Sequence, residues 1–103
     1  MARETLSGRR ATETFSFVHN QQSFTVSVGR HKDGKLFEVF LSSGKTGTDV
    51  QAIARDTMIL ISIALQYGTP EDVLRQAVTR DEQGQPASLV GATLDAIRDE
   101  VNG

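Results

Sequence analysis

The sequence predicts an α+β domain in which a three-stranded antiparallel meander is followed by a long buried helix and two shorter helices. Three observations support this. Apolar and polar residues alternate between positions 13 and 41, which is typical of half-buried strands. The stretch from 48 to 68 is apolar with a helical period. Two shorter helical patterns follow between positions 69 and 101.

The predicted strands are separated by residues that favour turns. The first strand ends at a polar stretch, residues 19–22, and Asp33-Gly34 tolerates the positive φ of a tight hairpin between the second and third strands. Leu36, Glu38 and Phe40 fall on the outer face of this sheet. The residues expected on its buried face are apolar: Phe15, Phe17, Phe24, Val26, Val28, Phe37, Val39 and Leu41.

The long helix has a start signal and a stop signal. Thr48 to Gln51 fits a capping box, in which a hydroxyl and an amide bond free backbone N–H groups. Gly68 is suited to the left-handed conformation that follows a last helical turn. The expected core face is Val50, Ile53, Ala54, Thr57, Leu60, Ile61, Ala64 and Leu65. The expected polar stripe is Gln51, Arg55, Ser62 and Gln66.

Two shorter helices complete the pattern. Thr69 is the predicted cap of the second helix, with Pro70 at its first position and the acids Glu71 and Asp72 at the positive end of its dipole. A polar break over residues 81–86 precedes the third helix. The third helix is predicted to place these residues on one side: Leu89, Val90, Thr93, Leu94 and Ile97.

Composition limits the classes of function. The chain has 103 residues, 38% of them hydrophobic, and we expect a flexible basic arm over residues 1–12 and a single domain over 13–103. The absence of cysteine excludes disulfides, thiolate catalysis and thiolate-bound zinc or iron–sulfur clusters. A net charge of -2 provides no overall field for nucleic acid or anionic lipid. Because no stretch fits a signal peptide or a membrane span, we expect a cytoplasmic location and no membrane partner.

Residues 44–48 form the strongest candidate site for a ligand. Gly44, Lys45, Thr46, Gly47 and Thr48 precede a helix N-terminus, where backbone N–H groups and a lysine could bind an anion. The spacing does not fit a phosphate-binding loop, since Lys45 precedes the second glycine. A bend between strand and helix, with a threonine cap, is therefore the favoured interpretation.

Catalytic and metal-binding patterns are weak throughout the chain. His19 and His31 fall at predicted turns, without a carboxylate or second histidine at ligand spacing. No Gly-x-Ser-x-Gly elbow is present. We therefore expect no catalytic residue and no metal site.

Apolar residues remain after one core has been formed. Met58, Ile59 and Ile63 lie outside the predicted core face of the long helix. Leu36 and Phe40 fall on the predicted outer face of the sheet. Soluble monomers seldom expose so much apolar surface. The sequence therefore predicts a two-fold homodimer with these five residues in its interface.

The stretch from Phe24 to Ala77 resembles a known family. It contains a strand reading Gly-x-x-x-Glu-Val-Phe from Gly34, a Gly-Lys-x-Gly turn from Gly44, and a helix that closes on Leu-Gln-Tyr-Gly-x-Pro at Pro70. A trailing Gly91-Ala92-x-Leu94-Asp95 is also similar. Together these features resemble the TSCPD-type C-terminal domain of adenosylcobalamin-dependent ribonucleotide reductases and its stand-alone bacterial relatives.

The resemblance implies an accessory or binding domain. The Thr-Ser-Cys-Pro-Asp tail is absent, and the catalytic barrel of the reductase could not fit into 103 residues. No catalytic or cobalamin-binding residue carries over, so we expect a non-enzymatic domain without a cofactor that acts by binding protein or nucleotide. The alternative is a nucleic-acid-associated protein. It would use the basic residues of the arm and the hairpin, namely Arg3, Arg9, Arg10, Arg30, His31, Lys32 and Lys35.

Overall fold

The computed structural model describes residues 12–43 and 49–102, which form three strands and three helices. The strands are β1 (Thr12–His19), β2 (Gln22–Arg30) and β3 (Leu36–Ser43). The helices are α1 (Asp49–Gln66), α2 (Glu71–Ala77) and α3 (Leu89–Asn102). The strands form one antiparallel sheet in the order β1-β2-β3, which confirms the predicted class and order of elements. The predicted arm lies outside the described residues, except for Thr12, which opens β1.

Residues with positive φ form both hairpin turns. Asn20 and Gln21, with φ of 52° and 65°, close the turn between β1 and β2. Positive φ at both central residues matches the right-handed twist of the flanking strands. In the second turn Gly34 has φ of 88°, and the N–H of Lys35 donates to Asp33 Oδ1 at 2.9 Å. Both predicted turns are confirmed.

A register shift between β2 and β3 determines where Leu36 lies. The pairing passes from Gly29–Glu38 to Arg30–Leu36, so Phe37 is an extra residue on β3. Such a bulge redirects the side chains beside it. Leu36 and Phe37 are both buried, each with 1% of its surface exposed. The prediction that Leu36 lies on the outer face is therefore wrong.

The core lies between the sheet and the two longer helices. Its buried cluster is Val26, Val28, Leu36, Val39, Met58, Ile61, Leu65, Leu94 and Ile97. On α3 the predicted side is confirmed, since Thr93, Leu94 and Ile97 are all buried. The partly buried Phe15 and Phe17 of β1 pack against this cluster.

α1 is rotated about its axis relative to the prediction. Ile53 and Leu60, predicted to face the core, are exposed, whereas Met58 is buried. Met58 belongs to the core of the single chain, so its prediction as an interface residue is wrong. The side of α1 that is buried consists of Ala54, Met58, Ile61, Ser62, Leu65 and Gln66.

The predicted end of α1 is confirmed. Gly68 has φ of 105°, its N–H bonds to the carbonyl of Leu65 at 3.0 Å, and the N–H of Thr69 bonds to that of Ala64 at 3.0 Å. These are the two bonds of a Schellman motif. The N-cap of α2 is Pro70, without a side-chain capping bond, so the prediction of Thr69 as the cap is wrong. Within the described residues, no helix is long and apolar enough to cross a membrane.

Candidate interaction surface

Two polar side chains hold α1 along the outer edge of β3. The N–H of Val39 donates to Ser62 Oγ at 2.9 Å, and Ser62 Oγ donates to the carbonyl of Val39 at 3.2 Å. Gln66 Nε2 donates to the carbonyl of Phe37 at 3.5 Å. Unpaired backbone groups at a sheet edge need such partners when they are buried. The two side chains therefore fix which side of α1 faces the sheet.

The opposite side of α1 is apolar and exposed. Ile53 and Leu60 are 64% and 66% exposed, and Ile59 and Tyr67 are 47% and 46% exposed. We call these four residues the α1 face. No charged residue occurs between Thr57 and Pro70 in the sequence. The exposed Asp56 lies on the same side of the helix, between Ile53 and Leu60. A largely apolar surface of this kind marks an interaction site in soluble proteins.

The predicted dimer interface overlaps the α1 face, since Ile59 belongs to both. Phe40 is 57% exposed on the outer face of β3, and Ile63 is half-buried on α1. Ser62 faces the edge of β3. At about 100° per residue around the helix axis, Met58 lies to one side of Ser62, toward the core, and Ile59 and Ile63 lie to the other side. An apolar surface thus extends from α1 toward the outer side of the sheet. The homodimer itself stays a prediction.

The candidate anion-binding turn, formed by Gly44, Lys45, Thr46, Gly47 and Thr48, lies outside the described residues. A cavity of about 100 Å³ lies between the end of β3 and the start of α1. Its lining is Phe24, Leu41, Ser42, Gln51, Ala54, Arg55 and Leu89. Sites for small molecules and cofactors usually measure about 300–1,000 Å³. The part of this cavity that the described residues line is smaller than that range.

A cluster of ion pairs joins α2 to α3. Arg80 donates through Nη1 and Nη2 to the two carboxylate oxygens of Asp95, both at 2.8 Å. These bonds hold the pKa of Asp95 below its usual value and raise the pKa of Arg80. Arg75 is 6% exposed and donates to Glu71 at 2.7 Å and to Asp72 at 2.9 Å. This arrangement gives the cluster a structural role.

The basic residues of the second hairpin are partly committed to other contacts. The side chain of Arg30 is 11% exposed, and its guanidinium lies 3.5 Å from Glu13 and 3.8 Å from Glu71. The ring of His31 packs edge-on against Phe37, with centroids 4.0 Å apart. In the described part of the predicted basic patch, the exposed cations are Lys32 and Lys35. The nucleic-acid alternative then depends mainly on Arg3, Arg9 and Arg10, which lie outside the described residues.

Neither histidine lies in a potential metal site. His19 is the last residue of β1, and His31 directly follows β2. Across residues 12–43 and 49–102, no group of three His, Asp or Glu side chains could hold a metal ion. Both histidines therefore lie where the sequence predicts them, at or beside turns.

These features define a small α+β domain whose main exposed feature is the apolar side of its long helix. The model of the TSCPD domain family matches residues 2–100. The chain belongs to the TSCPD domain family, which confirms the resemblance seen in its motifs.

Two relatives are much larger proteins that contain a segment similar to this chain. A vitamin B12-dependent ribonucleotide reductase from Bradyrhizobium diazoefficiens is 31% identical over 77 residues, which is 75% of this chain and 6% of that protein. Another from Agrobacterium fabrum is 31% identical over 96 residues, which is 93% of this chain and 7% of that protein. The chain thus spans less than a tenth of the length of either relative. No solved structure matches it significantly.

Proposed function

We propose that this chain is a non-catalytic accessory domain that serves a ribonucleotide reductase of the vitamin B12-dependent type by binding protein. The relatives support the link to ribonucleotide reduction, because both are reductases of that type. The matched segment is 6% of one relative and 7% of the other, and the bulk of each reductase has no counterpart in this chain. That bulk is the protein surface to which such a domain would bind.

The observation that carries the proposal is the α1 face. Full burial of an Ile or Leu side chain contributes about 1.5–3 kcal/mol, so several such residues provide substantial binding energy. The four residues of the α1 face include no cation, and the charged residue beside them, Asp56, is acidic, whereas binding to nucleic acid depends on cations that neutralise phosphates. Its chemistry fits the apolar centre of a protein interface. Protein is therefore the favoured partner over nucleotide and nucleic acid.

Calorimetric titration tests this function. The chain is titrated into the Agrobacterium fabrum reductase from which the matching segment has been removed, so that this segment does not compete for binding. We expect binding, and we expect Leu60→Glu to weaken it at least tenfold, because a carboxylate would enter an apolar contact. Equal binding of the original chain and Leu60→Glu would contradict a role for the α1 face.

Val73→Glu is the matched control. Val73 is 51% exposed on α2, outside the α1 face, and it receives the same change in charge. We expect this variant to bind as the original chain does. A similar loss in both variants would show that added negative charge, and not the α1 face, weakens binding.

We also propose that the chain forms a homodimer, because the sequence contains more apolar residues than its predicted core accounts for. Ile59 belongs to the α1 face and Phe40 and Ile63 adjoin it, so a protein that binds the α1 face would cover all three. Sedimentation equilibrium at micromolar concentration distinguishes one chain from two. A single-chain mass at every concentration would refute the homodimer and leave the accessory function intact.

A further inference from the structure

The backbone of β1 forms the second edge of the sheet. In an antiparallel pair, alternate residues direct both their N–H and C=O toward the same neighbour. The N–H and C=O of Val39 on β3 both bond to Ser62 and so point away from β2. The N–H and C=O of its cross-strand partner Val28 therefore point away from β3, toward Glu13 on β1. The next residues of β1 must therefore point the other way, out of the sheet. These are Thr14, Ser16 and Val18.

Within residues 12–43 and 49–102, this edge lacks several of the usual protections against strand pairing. β1 pairs with β2 without interruption from Thr12–Gly29 to His19–Gln22, so it contains no bulge. It also contains no proline and no lysine. Natural proteins block long, regular edges by such devices or by a covering element. At β3 the cover is α1, whereas no hydrogen bond within residues 12–43 and 49–102 covers the outward backbone groups of Thr14, Ser16 and Val18.

The apolar side of β1 is also incompletely covered. Phe15 and Phe17 are half-buried, and Phe17 stacks on Phe24 with ring centroids 5.8 Å apart. A groove of about 390 Å³ opens beside them against α3. It is lined by Phe15, Ser16, Phe17, Ala96, Asp99 and Glu100. A strand added to this edge would cover both the backbone and the two aromatic rings.

We propose that β1 pairs with β1 of a second copy of this chain, antiparallel about a two-fold axis at Ser16. Thr14 then lies opposite Val18 of the second copy, so outward residues meet outward residues, as antiparallel hydrogen bonding requires. The product is a continuous six-stranded sheet. This inference assigns the second copy to the β1 edge and leaves the α1 face free for the proposed protein partner.

The types of side chain that meet across the axis favour this register. It places Glu13 opposite His19 of the second copy, and it places Phe15 opposite Phe17, each pair occurring twice by symmetry. Aromatic pairs across antiparallel strands are favourable, and a carboxylate can accept a hydrogen bond from an imidazole N–H. A two-residue slip that puts Phe15 on the axis would place the carboxylate of Glu13 opposite the apolar ring of Phe17. Glu13, which also lies 3.5 Å from Arg30 of its own chain, and His19 are the two ionisable side chains of β1, and this register places them opposite each other.

A charge-swap experiment tests both the edge and the register. Ser16→Lys and Ser16→Glu each place two like charges face to face at the axis, and each alone should weaken dimerisation in sedimentation equilibrium by roughly fivefold or more. An equimolar mixture of the two variants should form a mixed dimer with about the affinity of the original chain. Thr25→Lys is the control, because Thr25 pairs with Ser16 on the same face but lies in the central strand. It should dimerise normally.

Three results would overturn the proposal. If Leu60→Glu dissociates the dimer and the Ser16 variants do not, the copies meet at the α1 face. If the mixture of Ser16 variants stays monomeric while both are folded by circular dichroism, the axis does not lie at Ser16. If hydrogen exchange shows the amides of Thr14, Ser16 and Val18 protected at concentrations where the chain is monomeric, its own residues cover the edge. Failure here leaves the calorimetric test of the α1 face unaffected.

Discussion

α1 and the α2–α3 junction both bury polar groups, but they do so by different means. Ser62 on α1 uses a neutral hydroxyl to bond both backbone groups of Val39 at the edge of β3. The α2–α3 junction uses charged groups, with Arg80 bound to both oxygens of Asp95. One contact joins a helix to a strand edge, and the other joins two segments of the helical layer.

The difference indicates which part of the molecule keeps its contacts when the pH or the salt concentration changes. Hydrogen bonds between neutral groups do not respond to protonation, and their directionality fixes the rotation of α1. The α1 face is exposed as a consequence of that rotation. Ion pairs depend on the ionisation of their carboxylate and are screened by salt when partly exposed. We therefore expect the geometry of the α1 face to persist under conditions that loosen the α2–α3 junction.

Ser62→Ala is expected to have the largest effect. It leaves the buried N–H and C=O of Val39 without a partner, at a cost of about 1–3 kcal/mol for each group. Thr57→Ala is the matched control, because Thr57 Oγ1 donates to the carbonyl of Ile53 and its hydrogen bond therefore lies within α1. Urea unfolding should show a change within about 0.5 kcal/mol for the control. Equal losses in the two variants would contradict the role assigned to Ser62.

Asp95→Asn is expected to have the next largest effect. It removes the carboxylate that binds Arg80. It also removes a negative charge that lies 3.9 Å from the guanidinium of the largely buried Arg75. Hydrogen bonds to charged groups contribute about 1.5–3 kcal/mol, so unfolding at neutral pH should show a loss of about that size. Asp99→Asn is the control, since Asp99 is an exposed residue that pairs with Arg98. Its loss should be about 0–1 kcal/mol.

Gly68→Ala tests the joint between the two regions. A residue with a Cβ in the left-handed conformation costs about 1–2 kcal/mol, so we expect a loss of that size in thermal unfolding. Gly68→Asn should lose less, because asparagine tolerates this conformation better. If alanine and asparagine were equally well tolerated, the end of α1 would have a different geometry.

Most of the fold follows from local patterns in the sequence. Alternation locates the strands, Gly34 and Gly68 mark turns, and the period of α3 locates its buried side. The errors occur where tertiary contacts reverse a local preference. Ser62 and Gln66 read as a solvent-facing stripe, yet they face the backbone of β3. Periodicity cannot show that a polar stripe will meet an unpaired strand edge.

The family motif predicts the identity of the domain better than it predicts its surface. Gly91 and Asp95 carry part of the resemblance, and both have structural roles in this chain. A Cβ on Gly91 would lie 3.0 Å from the Cβ of Pro86, and Asp95 binds Arg80. The α1 face is visible in the sequence only as an excess of apolar residues. Which of them are exposed depends on the bulge that buries Leu36 and on the rotation that buries Met58.

The smallest expected effect is the dependence of these losses on pH. The pKa of Asp95 is lower in the folded chain than in the unfolded chain, where it is about 3.9. Its contribution to stability is therefore complete above the unfolded pKa and is lost as the pH falls through the folded pKa. The difference in unfolding free energy between the original chain and Asp95→Asn should be constant above about pH 5 and should shrink below about pH 4. The difference for Ser62→Ala should show no such decline, because neither a hydroxyl nor a peptide group titrates in this range. Urea unfolding between pH 3 and pH 7 measures both differences, and parallel behaviour of the two variants would show that the two regions are not held by distinct kinds of contact.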